Sequence, residues 1–253
     1  MHGPSAKFDQ RESLRGDHRP VCRRAVCDGH GSVLRGLFVT GTDTGVGKTV
    51  AAAALFHRYR DRFPLRYWKP IQTGIEQDDD TAEVARLAAC GPHEMLTSGV
   101  RLDRPVSPHL AARLSGRTID VDALAAAVRA EPDSSHWIVE GAGGALVPVG
   151  DTANMADLMT HLGLPVVVVA RSTLGTINHT LLTIEALRAR SIAIAGVIMV
   201  GAPNADNREA IEQYGRVRSV GEMPRLEPLT PERLSAWATA DLDREGRLLE
   251  WLR

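Results

Sequence analysis

Cysteine and long apolar runs are both scarce in this sequence. Three cysteines, Cys22, Cys27 and Cys90, occur in 253 residues. An odd number without paired spacing argues against a disulfide framework or a structural zinc site and favours a reducing cytoplasm. The longest purely apolar runs, such as residues 166–170, fall far short of the ~20 residues that a membrane span needs. We therefore predict a cytoplasmic protein that does not cross a bilayer.

An excess of charge of either sign is missing as well. The chain has 30 Lys and Arg against 31 Asp and Glu, a formal net charge of -1. Because no long basic patch occurs, there is no electrostatic reason to expect nucleic acid or a membrane as a partner, and small molecules are favoured. The nine histidines are scattered rather than grouped at ligand spacing, so no zinc is assigned.

The most informative segment is residues 36–55, GLFVTGTDTGVGKTVAAAAL. A β-rich run at 37–40 is followed by a glycine-punctuated loop to Gly47 and a helix-favouring stretch at 48–59. In such an arrangement the N–H groups of the loop and of the first helical turn converge where the helix dipole favours an anion. Thr42 stands where the usual phosphate loop has its first glycine, but Gly47, Lys48 and Thr49 still predict a bound phosphate chain.

This loop also predicts the roles of two side chains. Lys48 would neutralise the β- and γ-phosphates, and the Thr49 hydroxyl would reach a magnesium ion bound to them. A glycine-rich turn with a chance lysine is the simpler interpretation, but it does not explain why a helix begins there.

Three more charged residues stand at the ends of predicted elements. Lys69 ends a short strand at 65–69 and opens a candidate site loop, because ligands bind at the carboxyl edge of an open parallel sheet; a solvated lysine before a turn is the alternative. Asp80 precedes a helix predicted at 82–89, where it either caps the helix or binds magnesium. Glu140 follows a buried strand at 137–139 and precedes glycines, so it either binds magnesium opposite Thr49 or faces water in a turn.

The elements alternate between strand and helix along the chain. Further buried strands are predicted at 165–170, 195–200 and 217–224, with helices at 153–162, 180–189 and 208–214. This order predicts an α/β fold with a parallel central sheet flanked by helices. We predict a disordered leader at 1–35, one P-loop NTPase-like domain at 36–230 and a helical C-terminal tail at 231–253, packed on the domain or trailing it.

Four segments in this order resemble the dethiobiotin synthetase family. They are VTGTDTGVGKT at 39–49, KPIQTG at 69–74, VEGAGG at 139–144 and LGTINH at 174–179; PVSPH at 105–109 and GEMP at 221–224 are also similar. The resemblance implies an ATP- and magnesium-dependent reaction on 7,8-diaminononanoate. One amine takes up CO2 as a carbamate, the carbamate attacks the γ-phosphate of the nucleoside triphosphate, and the second amine displaces phosphate to close a cyclic urea.

The resemblance also implies roles for individual residues. Lys69 and Lys48 would be catalytic, Thr73 would contact the substrate, and Asn178 would hold the far end of the substrate across a homodimer interface. Replacing either lysine with alanine is expected to lower kcat by at least ~100-fold with little effect on stability. Thr49, Asp80 and Glu140 would bind the metal, and the nucleotide would be lined by Gly45, Val46, Gly47, Lys48, Thr49, Val50, Asp80, Glu140, Gly141, Ala142, Gly143, Pro224, Arg225 and Leu226.

Two positions depart from the family pattern. Many members have a glutamate where this chain has Gly45, so the role of that carboxylate is absent here. Where well-studied members have an asparagine that contacts adenine, this chain has Val200 and Gly201, with Asn204 and Asn207 further on. A hydrogen bond to the base typically contributes ~1 kcal/mol, so its loss predicts competition by CTP or GTP.

Two other classes of protein share parts of this pattern. Partition- and nitrogenase-type regulatory ATPases switch their dimer association with nucleotide, but their loop has an extra lysine five residues before the Lys48 position, where this chain has Asp43. Cobyrinate-type amide synthetases normally carry a glutamine-hydrolysing domain. We do not expect such a domain here, because the predicted leader, domain and tail account for the 253 residues.

Overall fold

The computed structural model describes residues 34–131 and 134–253. Most of the predicted leader, and two of the three cysteines, lie outside the described residues, while Arg35 already belongs to the first strand. The strands are β1 Arg35–Gly41, β2 Leu65–Trp68, β3 Ile71–Thr73, β4 Met95–Leu96, β5 Val100–Leu102, β6 His136–Gly144, β7 Val166–Arg171, β8 Ile194–Val200 and β9 Ser219–Met223.

Helices connect these strands in the alternation that the sequence predicts. They are α1 Lys48–Tyr59, α2 Asp80–Leu87, α3 Pro108–Leu114, α4 Val121–Arg129, α5 Met155–Leu162, α6 Thr176–Arg188, α7 Ala205–Gly215, α8 Pro231–Ala240 and α9 Leu249–Leu252. No helix within the described ranges is long and apolar enough to span a membrane.

Seven strands form one parallel sheet in the order β4-β2-β6-β1-β7-β8-β9. Alternate side chains of β7 enter the two apolar cores: Val166 and Val168 lie in the core with α3 to α7, and Val167 and Val169 in the core with α1, α2, α8 and α9. A strand buried on both faces is apolar throughout because helices cover both faces. The predicted parallel α/β fold is confirmed.

Three local predictions are wrong. Residues 71–73 form β3 rather than loop, and β3 pairs in parallel with β5 as a separate small sheet. Glu140 lies within β6, which continues to Gly144, because β6 pairs with β1 beyond the predicted end of the strand. The helix predicted to begin at 180 begins at Thr176, so Asn178 lies inside its first turn.

The C-terminal residues are buried in the core that contains α1. Leu234, Leu242, Leu248 and Leu252 are fully buried in the core that contains α1. The ring of His136, at the start of β6, lies 2.9 Å from the Leu252 carbonyl oxygen through Nε2. The end of the chain is therefore tied to the central sheet by apolar packing and by a polar contact.

The burial of His136 should make the stability depend on pH. Because burial lowers the pKa of His136, the unfolded chain binds more protons than the folded chain on acidification. The contribution of neutral His136 to the free energy of unfolding is therefore fully present above about pH 6.5 and is lost as pH falls below it. We expect the free energy of unfolding to fall more steeply between about pH 7.5 and 5 in the wild type than in His136→Gln, which keeps a donor for Leu252. Urea denaturation measures it, with exposed His93→Gln as control; equal slopes for all three proteins would contradict the prediction.

Candidate active site

The phosphate loop connects the end of β1 to the N-terminus of α1, which is the positive end of the helix dipole. Gly47 is the N-cap of α1 in a left-handed conformation, with φ 99°. A Cβ at this position would also lie 3.3 Å from the Val200 side chain, so only glycine fits without strain. Lys48 is buried and its Nζ donates to the carbonyl oxygen of Asp43 at 3.1 Å. The loop is closed by its own lysine and presents unpaired helix N–H groups.

Three oxygen-bearing side chains from different elements meet beside this loop. The Thr49 hydroxyl lies 2.9 Å from Asp80 Oδ1 and 3.1 Å from Glu140 Oε1. One hydroxyl has one proton, so it donates to only one carboxylate at a time. The sequence predicts that Asp80 either caps a helix or binds metal. In the structure the N-cap of α2 is Asp79, whose side chain accepts from Ala82 N–H. The Asp80 side chain is therefore not needed for capping and faces the site.

Lys69 bridges the two carboxylates. Its Nζ lies 2.6 Å from Asp80 Oδ2 and 2.8 Å from Glu140 Oε1, and donates to the Gly141 carbonyl oxygen at 3.1 Å. The side chains of Lys69 and Glu140 are 3% and 0% exposed, so neither a solvated lysine nor a glutamate facing water describes them. Buried charges of this kind are stable only when paired.

The charges of this group shift one another's pKa values. Burial alone would lower the pKa of Lys69, but the charges of Glu140 and Asp80 raise it above its usual value. Burial alone would raise the pKa of Asp80, but Lys69 lowers it. Burial, together with the charge of Lys69, lowers the pKa of Lys48 to about 8. The site thus holds one firmly protonated lysine and one whose proton is less tightly bound.

Tyr67 completes the group from β2. Its hydroxyl is fully buried and donates to Glu140 Oε2 at 2.8 Å. Burial and then the charge of Glu140 raise the pKa of Tyr67 well above its usual value, so the hydroxyl keeps its proton. Tyr67 could not be identified from the sequence, since nothing in its local pattern distinguishes it from an ordinary core aromatic of β2.

A cavity of about 600 Å³ joins most of the predicted site residues. The catalytic and metal candidates Lys48, Thr49, Lys69, Asp80 and Glu140 all line it. So do the nucleotide and substrate candidates Gly45, Gly47, Val50, Ala142, Gly143 and Thr73. The cavity is also lined by residues that the sequence analysis did not assign, including Gln72, Ser107 and Val147; the similarity at 105–109 was the available signal for Ser107.

Other predicted residues lie elsewhere. Val46 has its side chain buried in the apolar core, so only its backbone is available to a phosphate, and Gly141 faces Lys69 through its carbonyl oxygen. Asn178 is exposed on α6 and does not line this cavity. Pro224, Arg225 and Leu226 follow β9 and do not line it either; Pro224 borders a separate cavity beside α8.

The donor set suits magnesium. Mg²⁺ takes oxygen ligands in an octahedral shell, keeps several waters, and is usually held by one or two carboxylates together with substrate phosphates. Thr49, Asp80 and Glu140 offer two carboxylates and a hydroxyl next to the phosphate loop. Residues 34–131 and 134–253 contain no cluster of three or more His, Cys, Asp or Glu side chains that could hold a metal.

Structural comparison finds the same fold in two solved structures. A ParA family ATPase from Chlorobium tepidum matches with a TM-score of 0.52 at 10% identity, over 82% of this chain and 98% of that chain. The MinC:MinD cell division protein complex of Aquifex aeolicus gives a chain that matches with a TM-score of 0.52 at 12% identity, over 85% of this chain and 95% of that one. At such identities the similarity shows the fold alone.

Sequence comparison is more specific. The family model described as an AAA domain matches residues 35–233. The ATP-dependent dethiobiotin synthetase BioD of Brucella ovis is 45% identical over 78% of this chain and 90% of its own length. The biotin biosynthesis bifunctional protein BioCD of Bordetella avium is 45% identical over 81% of this chain, which spans 42% of that longer protein. The chain belongs to the ATP-dependent dethiobiotin synthetase family of P-loop enzymes.

Proposed function

We propose that this cavity closes the ureido ring of dethiobiotin from 7,8-diaminononanoate, CO2 and ATP. A carbamate formed on one amine attacks the γ-phosphorus, ADP leaves, and the second amine then attacks the carbonyl carbon of the carbamic-phosphoric anhydride and expels phosphate. The nitrogen of that neutral amine loses one proton as the second C–N bond forms and keeps the other in the ureido ring. Such a reaction needs reactants held in line and positive charge around the transferring phosphoryl group.

The side chains of the cavity supply these requirements. Lys48 and the first-turn N–H groups of α1 would hold the phosphates, and Lys69 would stabilise the negative charge shared by the carbamate and the γ-phosphate. Thr73, which lines the same cavity as Lys69, would position the diamine. Bound magnesium would neutralise phosphate charge, and Thr49, Asp80 and Glu140 would hold it.

One observation carries this proposal: the second lysine. Lys69 directly follows β2, is almost fully buried, and lies in one cavity with Lys48 of the phosphate loop and Thr73 of β3. A second buried lysine beside the phosphate loop adds positive charge where a small acceptor would meet the γ-phosphate, and positive charge around the transferring phosphoryl group is what such a transfer needs. Asp43, in place of the extra lysine of the regulatory ATPases, also disfavours the switch.

Phosphate release separates the two functions. We expect purified protein with magnesium and ATP to release phosphate only when 7,8-diaminononanoate and bicarbonate are both present, with dethiobiotin formed in equal amount. Turnover that is independent of the diamine would refute the synthetase function and favour the regulatory ATPase.

The choice of base should be permissive. Both asparagines near the end of β8 already use one polar group of their amide within the protein: Asn204 Oδ1 accepts from Asn207 N–H at 2.9 Å, and Asn207 Nδ2 donates to the Ser172 carbonyl oxygen at 2.9 Å. We expect kcat/KM for ATP to exceed that for CTP and GTP by no more than about tenfold. An advantage of a hundredfold or more for ATP would contradict this.

The matched variant for this comparison is Val200→Asn, which restores an amide at the end of β8. Gly201 is unsuitable, because it has φ 134° and a Cβ there would lie 2.3 Å from Ser172 Oγ. Val200→Asn is expected to raise the preference for ATP severalfold.

We also propose that two copies of the chain associate and act in the cytoplasm. The exposed leucines Leu146 and Leu182, 52% and 56% exposed, border a cavity of about 400 Å³ that reaches the phosphate loop. Asn178 lies one turn before Leu182 on α6 and does not line the ligand cavity of about 600 Å³ in its own chain. In a dimer it would instead reach the substrate of the other subunit.

Leu182→Glu tests the association. A buried charge without a partner opposes an apolar interface, so we expect the variant to sediment as a monomer where the wild type is a dimer, and its KM for the diamine to rise. Leu114→Glu, at a leucine 60% exposed on α3, is the control and should not change the mass. A monomeric wild type would contradict the prediction.

A further inference from the structure

Tyr67 and Glu140 form a buried pair behind the ligand cavity. Both side chains are fully buried, and Tyr67 does not line the cavity, whereas Glu140 does. The Tyr67 hydroxyl donates to Glu140 Oε2 at 2.8 Å. Tyr67 therefore does not contact a ligand in the cavity, and any effect it has on the site acts through Glu140.

The two oxygens of the Glu140 carboxylate have different partners. Oε2 is occupied by the tyrosine hydroxyl, whereas Oε1 faces Thr49 Oγ1 at 3.1 Å and Lys69 Nζ at 2.8 Å. Rotation of the carboxylate to turn both oxygens toward the cavity would break the bond to Tyr67. In a fully buried environment the lost bond would not be replaced by water, so rotation is costly.

The number of oxygens that a carboxylate offers distinguishes cations. Ca²⁺ takes six to eight oxygens and accepts bidentate carboxylates, whereas Mg²⁺ is smaller and requires a near-ideal octahedral shell. From this geometry we infer that Tyr67 is a positioning residue that restricts Glu140 to one metal-facing oxygen and so makes the nucleotide–metal site select Mg²⁺ over Ca²⁺. The inference rests on the proposed magnesium–nucleotide function of the cavity.

Tyr67→Phe is the direct test, because it removes the hydroxyl and keeps the ring. Calorimetric titration of the protein and a non-hydrolysable ATP analogue with Mg²⁺ or Ca²⁺ gives a dissociation constant for each ion. We expect the wild type to bind Mg²⁺ more tightly, and the Ca²⁺-to-Mg²⁺ ratio of dissociation constants to fall about tenfold in Tyr67→Phe, the usual effect of losing a hydrogen bond to a charged group.

A second buried tyrosine serves as the matched control. Tyr59, in α1, donates its hydroxyl to the buried carboxylate of Asp243, outside the cavity. Tyr59→Phe removes the same chemical bond and should lower stability without changing the ratio of the two ions. If a general loss of stability altered the ratio of the two dissociation constants, it would do so in both variants. A positioning role changes that ratio only in Tyr67→Phe.

Further outcomes decide the inference. If Tyr67→Phe does not fold, Glu140→Asp provides the second test, since the shorter carboxylate loses Tyr67 as the partner of one oxygen and should also lose the discrimination between the ions. A wild type without preference for Mg²⁺, an unchanged ratio in Tyr67→Phe, or full discrimination in Glu140→Asp would each overturn the inference. These binding ratios are measured without diaminononanoate, so absence of diamine-dependent phosphate release would refute the proposed function separately.

Discussion

Replacing Lys69 with methionine is expected to lower kcat by at least ~100-fold, because it removes the cation that would stabilise charge on the transferring phosphoryl group. It is also expected to destabilise the fold. Lys69 is the buried partner of both Asp80 and Glu140, and removing one member of a buried ion pair typically costs about 3–5 kcal/mol. Sequence analysis predicted little change in stability; the burial of Lys69 alters that expectation.

Arg66→Met is the control for this measurement. Arg66 lies on β2, three residues before Lys69, and pairs with Glu131 at 2.6 Å, but both side chains are partly exposed. Since exposed pairs contribute about 0–1 kcal/mol, this variant should keep its stability and turnover. Steady-state kinetics and urea denaturation measure the two effects. A Lys69→Met protein with near-normal kcat would refute the catalytic role, and normal stability would refute the structural one.

Lys48→Ala is expected to lower kcat by a similar factor, at least ~100-fold, but with little loss of stability. Its amino group donates to a backbone carbonyl oxygen at 3.1 Å rather than bridging buried carboxylates, so its removal strands no buried charge. The two lysines should thus give equal kinetic defects and unequal stabilities, which separates a phosphate ligand from a lysine that also holds the site together.

Arg171→Ala controls for general electrostatic attraction of the nucleotide. Arg171 is exposed beside the loop and donates to the Thr44 carbonyl oxygen at 3.1 Å, so it adds positive charge without pointing into a buried site. We expect less than a tenfold loss of kcat/KM, because exposed charges are screened by solvent and salt. A defect as large as that of Lys48→Ala would show that net charge, not the position of Lys48, matters.

The local part of this protein could be predicted from its sequence. Glycines before Lys48 and an apolar run before them specify strand, loop and helix within about twenty residues, and the alternation of such units specifies a parallel sheet. Asp80 and Glu140 were selected because they stand beside element boundaries, although Glu140 lies inside β6, where pairing with β1 extends the strand.

The sequence by itself determined the phosphate loop and the parallel α/β fold, because these depend on local backbone chemistry and on apolar periodicity; most other predicted residues that line the cavity came from the resemblance to the family. Only the tertiary structure decided how the charges are paired. Lys69 lies 71 positions from Glu140, and Tyr67 lies 73 positions from it, so no local pattern records either contact. They form because neighbouring strands β2 and β6 bring these side chains into a buried space where each charge must find a partner.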